Sequence, residues 1–355
     1  MEPFDVDILL PVWNRPVDTR NCLVNLMATA PAARIILLDN GSDRETERLL
    51  EEFAELLGER ALFLKTSANR GLVKAVNRGL ERAEASYVVI VRNTTVVAEG
   101  WLDPMVELVA SRPEVGLVVP RLEQASPQRR EKPGRSEPAV TEVSHGSFAA
   151  LLVRKKLLES IGGFDEELDG GVWCLKDYSR RALRAGFLTC AAEGVTVTCE
   201  DDVPLGSAAR REETVRRSAA TCEARWGREE SFCVHWPGDA DPEEVRARFP
   251  VLLRGARMGH RFTVIVHGEL HKALLQAGYG SLHRSIAIEP LPRFFAAGEL
   301  RRIVARVAAR GGETTVVAGI DGLVVPAAAD ARPFGWLAEA VRRREESCYR
   351  SGGAA

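Results

Sequence analysis

Val6-Asp7-Ile8-Leu9-Leu10-Pro11-Val12 is a short, nearly continuous apolar run that stops at Trp13-Asn14-Arg15. A run of this length bounded by turn residues reads as a strand covered on both faces. A helical stretch follows, with Cys22, Leu23, Leu26 and Met27 on one face and Asp18 as its expected cap. The pattern then repeats. Ile35-Ile36-Leu37-Leu38 is a second buried strand, ended by Asp39-Asn40-Gly41-Ser42, and Leu49, Leu50, Phe53, Leu56 and Leu57 mark a second amphipathic helix. Strands are expected at 61–65, 87–91 and 115–119, and helices at 72–85 and 101–110. Alternation of this kind predicts a parallel α/β sheet with helices on both faces. Ligands of such sheets bind at the carboxyl ends of the strands, so the loops after the first, second and fourth strands are the candidate site.

A chain of 355 residues has room for two domains at about 150 residues each. Lys and Arg total 48 against 50 Asp and Glu, a formal charge of −2, which argues against a protein that coats nucleic acid. No stretch reaches the roughly 20 apolar residues that span a bilayer. The acidic start, Met1-Glu2-Pro3-Phe4-Asp5, predicts no secretory leader. Seven scattered cysteines without a C-x-x-C pair fit reduced thiols, and the expected location is cytoplasmic. Residues 121–142, rich in Pro, Ser, Gln, Glu and Arg, read as a loop or lid. Order is expected again from Phe148 to about Gly227, with a helix at 175–185 and a strand near 195–199. The expected division is a first domain over 1–230 and a smaller α/β domain of unknown role over 231–355, with strands near 263–267, 285–288 and 315–318.

Six local patterns occur in order along the first domain: Pro11-Val12-Trp13-Asn14-Arg15; Leu38-Asp39-Asn40-Gly41-Ser42; Asn69-Arg70-Gly71 running into Ala75-Val76-Asn77-Arg78-Gly79; Asn93-Thr94-Thr95 before Gly100-Trp101-Leu102; Gly162-Gly163-Phe164-Asp165-Glu166; and Asp177 on a helix ending Leu183-Arg184-Ala185-Gly186-Phe187. Together, over about residues 5–227, they resemble the family-2 glycosyltransferases of GT-A type, a Rossmann-like mixed α/β sheet that binds nucleotide-diphosphate sugars. The resemblance assigns Asp39 to the donor's nucleotide, with Pro11 and Asn14 shaping the pocket. Asn69 and Gly71 would let backbone approach the ligand, whereas Asn77 and Gly79 fix helix packing. His145 and Gly146 lie where the family forms its acceptor side.

The family reaction inverts the sugar's anomeric carbon and needs a carboxylate to take the acceptor's proton. Asp177 is the candidate base. By spacing to Ala185-Gly186 it matches the last acidic residue of the family pattern, and Leu175 falls where the preceding acidic pair has its Asp. A two-residue deletion would instead make Asp177 that Asp, with Lys176 replacing the Glu. The other reading is an Asp near a helix start, favoured by the dipole.

The fourth strand carries a departure. Relatives hold a divalent metal through an aspartate where this chain has Thr94, within Arg92-Asn93-Thr94-Thr95. A His expected near Cys199 is also missing. Two cofactor readings stay open: a divalent metal (Mg or Mn), with the acidic run Glu200-Asp201-Asp202 as another position for it, or no metal at all. In the second, Arg92, with Arg15 or Arg70, supplies the positive charge on the leaving diphosphate. His267 and His271, four apart, make a weak metal pair.

The expected function is an inverting glycosyltransferase moving a sugar from a uridine- or thymidine-diphosphate type donor to a polysaccharide or glycoconjugate acceptor. The alternative is a catalytically degenerate GT-A domain serving as a nucleotide-sugar binding or assembly module. A nucleotidyltransferase ranks below both, for want of a glycine-rich phosphate loop after the first strand. Peripheral membrane association through a basic face stays open, with no amphipathic segment to support it.

Overall fold

The computed structural model describes residues 5–124, 140–199, 208–292, 296–311, 313–325 and 328–350. Two compact units emerge: the first takes the described residues up to Val140 and His145–Cys222, the second Thr141–Ser144 and the described residues from Glu223 onward.

The first unit runs β1 (Val6–Val12), α1 (Pro16–Thr29), β2 (Arg34–Asn40), α2 (Arg44–Leu57), β3 (Ala61–Thr66), α3 (Leu72–Leu80), β4 (Tyr87–Val91), β5 (Thr95–Val97), α4 (Leu102–Ser111) and β6 (Val115–Gln124). After β7 (Val140–Glu142) come β8 (Ala150–Arg154), α5 (Lys155–Ile161), α6 (Trp173–Arg184), β9 (Leu188–Cys199) and α7 (Ala208–Trp226), which crosses into the second unit. The strand order is β3-β2-β1-β4-β8-β6-β9-β5. The first four strands pair in parallel, as their alternation with helices requires. Beyond them the sheet is mixed: β6 and β9 pair in parallel, but β8 runs antiparallel to β4 and β6, and β5 antiparallel to β9. Among the described residues no helix lies between β6 and β8, so no crossover there obliges β8 to run parallel.

All seven residues of β1 are buried, including Asp7. That carboxylate is used up: Arg34 donates to it at 2.7 and 2.9 Å, and the Glu84 and Ala85 amides at 2.7 and 3.0 Å. A buried charge persists only when paired in this way. Helix starts follow local chemistry in part. Asp43 caps α2, accepting from the Thr46 amide at 2.8 Å, while Pro16 opens α1. Asp18 does not cap α1; it lies in the first turn and pairs with Arg15 at 2.7 Å, and Arg15 is the capping residue. The expected third helix stops at Leu80, five residues short, and β9 begins seven residues earlier than expected.

The second unit contains β10 (Ser231–His235), α8 (Pro242–Arg257), β11 (Arg261–His267), α9 (Gly268–Gln276), β12 (Ile286–Leu291), α10 (Ala296–Gly311), β13 (Thr314–Ala318), β14 (Arg332–Pro333) and α11 (Phe334–Arg350). Its sheet, ordered β12-β11-β10-β13-β14, is parallel throughout. Glu142 belongs to it: Arg257 grips its carboxylate with two bonds of 2.6 Å, and its backbone bonds Leu282 and Arg284.

Candidate donor site at the carboxyl edge of the first sheet

The register Val12↔Asp39 ends β1 and β2 at one level, so their loops lie side by side. Asn14 and Arg15 both adopt left-handed backbone, at φ 56° and 61°, which is costly for residues other than glycine. The turn is held by cross-loop bonds: the Asn14 amide donates to Ser42 Oγ at 3.0 Å, and Asn14 Oδ1 accepts from the Asp43 amide at 2.8 Å. Pro11 is buried within β1 opposite Leu38.

Asp39, the next-to-last residue of β2, is 2% exposed. Its Oδ1 accepts the Ser42 amide at 2.9 Å, while its buried Oδ2 has no hydrogen-bond partner among the described residues. An unmatched carboxylate oxygen is costly, and it presents an acceptor to any ligand with an N–H or hydroxyl.

The loop after β3 is fastened to the same edge. Asn40, 5% exposed, donates to Asn69 Oδ1 at 3.0 Å and to the Gly71 carbonyl at 3.1 Å, and accepts from the Arg70 amide at 3.1 Å. Asn69 Oδ1 also takes the Gly71 amide at 2.9 Å. Gly41 (φ 73°) lets the loops touch, since a Cβ there would lie 2.4 Å from the Ala68 backbone. Gly71 (φ 100°) makes room for a protein group: a Cβ would fall 1.9 Å from the Asp169 carboxylate, which accepts from the Val73 amide at 3.3 Å at the start of α3. Burial pushes the Asp169 carboxyl above its usual range. Asn77 and Gly79 are packing elements: Asn77 exchanges 2.8 Å bonds with the Phe164 backbone, and Gly79 abuts Leu9 and Leu38.

Three residues follow β4. Asn93 and Thr94 are buried, Asn93 donating to Thr19 Oγ1 at 2.9 Å and Thr94 Oγ lying 3.5 Å from Cys199 Sγ. The nearby Cys22 thiol is pushed up to about 12 by burial, which keeps it protonated and inert. Arg92 is half-buried, and its guanidinium makes no hydrogen bond or ion pair among the described residues. Magnesium and manganese prefer carboxylate oxygen. An amide, a hydroxyl facing a thiol and a guanidinium do not fit such an ion, and among the described residues no group of three or more His, Cys, Asp or Glu could hold one. Glu200-Asp201-Asp202 and residues 125–139 of the expected lid lie outside the described residues.

Asp177, the candidate base, lies in a buried setting. It is 0% exposed on α6, with Oδ2 bonded to Arg181 at 2.8 Å. Arg181 in turn donates to the Ile161 and Gly163 carbonyls at 2.8 and 2.7 Å. A base has to reach the hydroxyl it deprotonates, and here the carboxylate is covered and one of its oxygens is held by Arg181. His145 is half-buried, its Nδ1 2.8 Å from the Gly146 carbonyl, and Gly146 is packed on Leu151. Two organising residues escaped the sequence reading. Asn40 stood beside Asp39 in a turn motif and could have been singled out. Asp169 is 98 residues from Gly71, and no spacing rule links them.

The first sheet, with its loops gathered at the carboxyl edge, has the GT-A fold. Two solved structures share it at a TM-score of 0.50: a Pyrobaculum calidifontis mannosyltransferase in complex with GDP-Man and Mn2+ (17% identical, covering 98% of this chain and 82% of that one), and GalNAc-T7 with UDP, GalNAc and Mn2+ (15%, covering 62% and 48%). The family model of glycosyl transferase family 2 matches residues 7–162. It is 26% identical over 181 residues to the pre-mycofactocin glycosyltransferase of Mycobacterium tuberculosis, covering 47% of this chain and 37% of that protein. It is likewise 26% identical over 124 residues to the poly-beta-1,6-N-acetyl-D-glucosamine synthase of Staphylococcus epidermidis, covering 34% and 30%. The similarity thus spans well under half of these relatives' length. Among the described residues no helix is long and apolar enough to cross a membrane.

Proposed function

We propose that the chain is an inverting glycosyltransferase that moves a sugar from a uridine- or thymidine-diphosphate donor to a saccharide or glycoconjugate acceptor. The observation that carries this reading is the buried Asp39 carboxylate with its unmatched Oδ2. It stands at the carboxyl end of a parallel strand, where α/β sheets take nucleotides, and it suits a base N–H or a ribose hydroxyl. In the reaction an acceptor hydroxyl oxygen bonds the anomeric carbon as the carbon–oxygen bond to the diphosphate breaks, the hydroxyl's proton passes to solvent, and negative charge builds on the departing phosphate. Arg92, half-buried and without an acidic partner among the described residues, is suited to meet that charge through its planar fork. Asp177 contributes by position, holding α6 through Arg181.

Titration of the full chain with UDP and dTDP tests the donor site. A saturating nucleotide at 100 times its Kd adds about 2.7 kcal/mol of stability. No rise in Tm with either nucleotide sinks the reading. A nucleotide that binds in a chain that transfers no sugar to any acceptor reduces it to a binding module. For Arg92, the expected result is transfer that survives EDTA, with Arg92→Ala slowing it by about 100-fold and Arg92→Lys by less. Loss of transfer in EDTA, restored by manganese, would remove Arg92 from this role.

A further inference from the structure

The face of α3 turned away from the sheet forms one wall of a groove of about 570 Å³. The edge strand β3 supplies another wall. The volume is within the roughly 300–1,000 Å³ of small-molecule sites. Four cations line it, Lys65, Arg70, Lys74 and Arg78, against two carboxylates, Glu81 and Glu166. The cations are unevenly engaged. Lys65 pairs with Glu47. Arg78 is fixed across the groove by a 2.7 Å bond to the Lys65 carbonyl. Lys74 stands 3.9 Å from Glu166, and the exposed Arg70 side chain makes no bond among the described residues. The described lining contains no aromatic side chain, and its one hydrocarbon side chain is Ala75. Such a surface offers nothing to a nucleobase or a lipid tail. The groove adjoins the donor edge at Asn40, at the Arg70 loop and at Thr66, which donates to the Asp39 carbonyl at 3.1 Å.

We infer that this groove binds an acidic glycan segment, its cations taking carboxylate or phosphate groups and Glu81, Glu166, Thr66 and Ser67 the sugar hydroxyls. The groove would hold part of the acceptor chain at a distance from the reacting hydroxyl. The inference rests on the glycosyltransferase reading for the word acceptor, though not for binding itself. Mixed charge suits this ligand class: free phosphate would be met best by cations alone, whereas a sugar also needs acceptors for its hydroxyls.

Isothermal titration of the full chain with trigalacturonate, glucose 6-phosphate and neutral maltotriose tests it. At least one acidic probe is expected to saturate the site at least tenfold more tightly than maltotriose, and the one that does identifies carboxylate or phosphate as the recognised group. Affinity should fall several-fold between 50 and 300 mM NaCl, as screening requires. Lys74→Glu, on an exposed helix face, should weaken binding at least fivefold, as should Arg78→Gln, while UDP affinity stays unchanged. Equal binding of maltotriose, no saturable binding of either acidic probe, or indifference to Lys74→Glu would overturn the inference. Acidic-glycan binding in a chain that ignores UDP and dTDP would sink the donor reading and leave the groove intact.

Discussion

Asp39 is a residue kept at a cost. Its buried Oδ2 forgoes water and finds no protein donor among the described residues, a penalty of about 1–3 kcal/mol. Asp39→Asn should therefore leave Tm without nucleotide unchanged or raised, yet weaken UDP or dTDP binding by about tenfold or more, as loss of a charged hydrogen bond implies. A matched fall in Tm and unchanged affinity would make Asp39 a turn former and nothing else. Asp177 is the opposite case. Asp177→Asn breaks a buried pair and should cost about 3–5 kcal/mol by urea denaturation, with nucleotide affinity intact. Unchanged stability with abolished transfer would return it to the role of base. Both residues stand out in the sequence because each sits in one of the family-like patterns. Their different surroundings were not legible: the ion pair of Asp177 depends on how α6 lies over the Ile161–Gly163 turn, and spacing carries no record of that.

At the level of elements, the parallel half of the first sheet could be read because each strand and the helix after it are local in sequence. The antiparallel β8 could not, since its direction is set by the chain path before it. In the second unit β10 was missed, although β13, of the same length, was read. The strand's end carries chemistry of its own. His235 closes β10, and burial together with the charge of His267 lowers its pKa to about 4; His283 is lowered to about 4 by burial and Arg257. Above pH 6.5 both rings are neutral folded or unfolded and contribute nothing. As pH falls from 6.5 to 4 the unfolded chain binds protons that the folded one refuses, so stability drops by about 1.4 kcal/mol per unit for each fully shifted ring. Urea denaturation at pH 7 and pH 5 should show the loss, with two imidazoles titrating near pH 4 by NMR. Rings that all titrate near 6.5 would refute it.

For the whole molecule, a formal charge of −2 says little about any one face. Four cations gather on one groove of the first unit, a clustering invisible to totals because Lys65, Arg70, Lys74 and Arg78 meet only once β3 and α3 are folded against each other. The expected division lay near residue 230; the units change over after Cys222, and Thr141–Ser144 belongs to the second unit, a return that no composition change marks. That return alters what the protein can be cut into. The chain passes between the units three times, after Val140, after Ser144 and after Cys222. The second unit is therefore stitched in rather than appended. A protease nick in 227–230 should leave two fragments that co-elute in gel filtration, held through Glu142 and its grip by Arg257. A gene shortened at residue 222 should yield a first unit with a loose four-residue flap, and homologues that gain or lose the second unit would have to rebuild that flap as well.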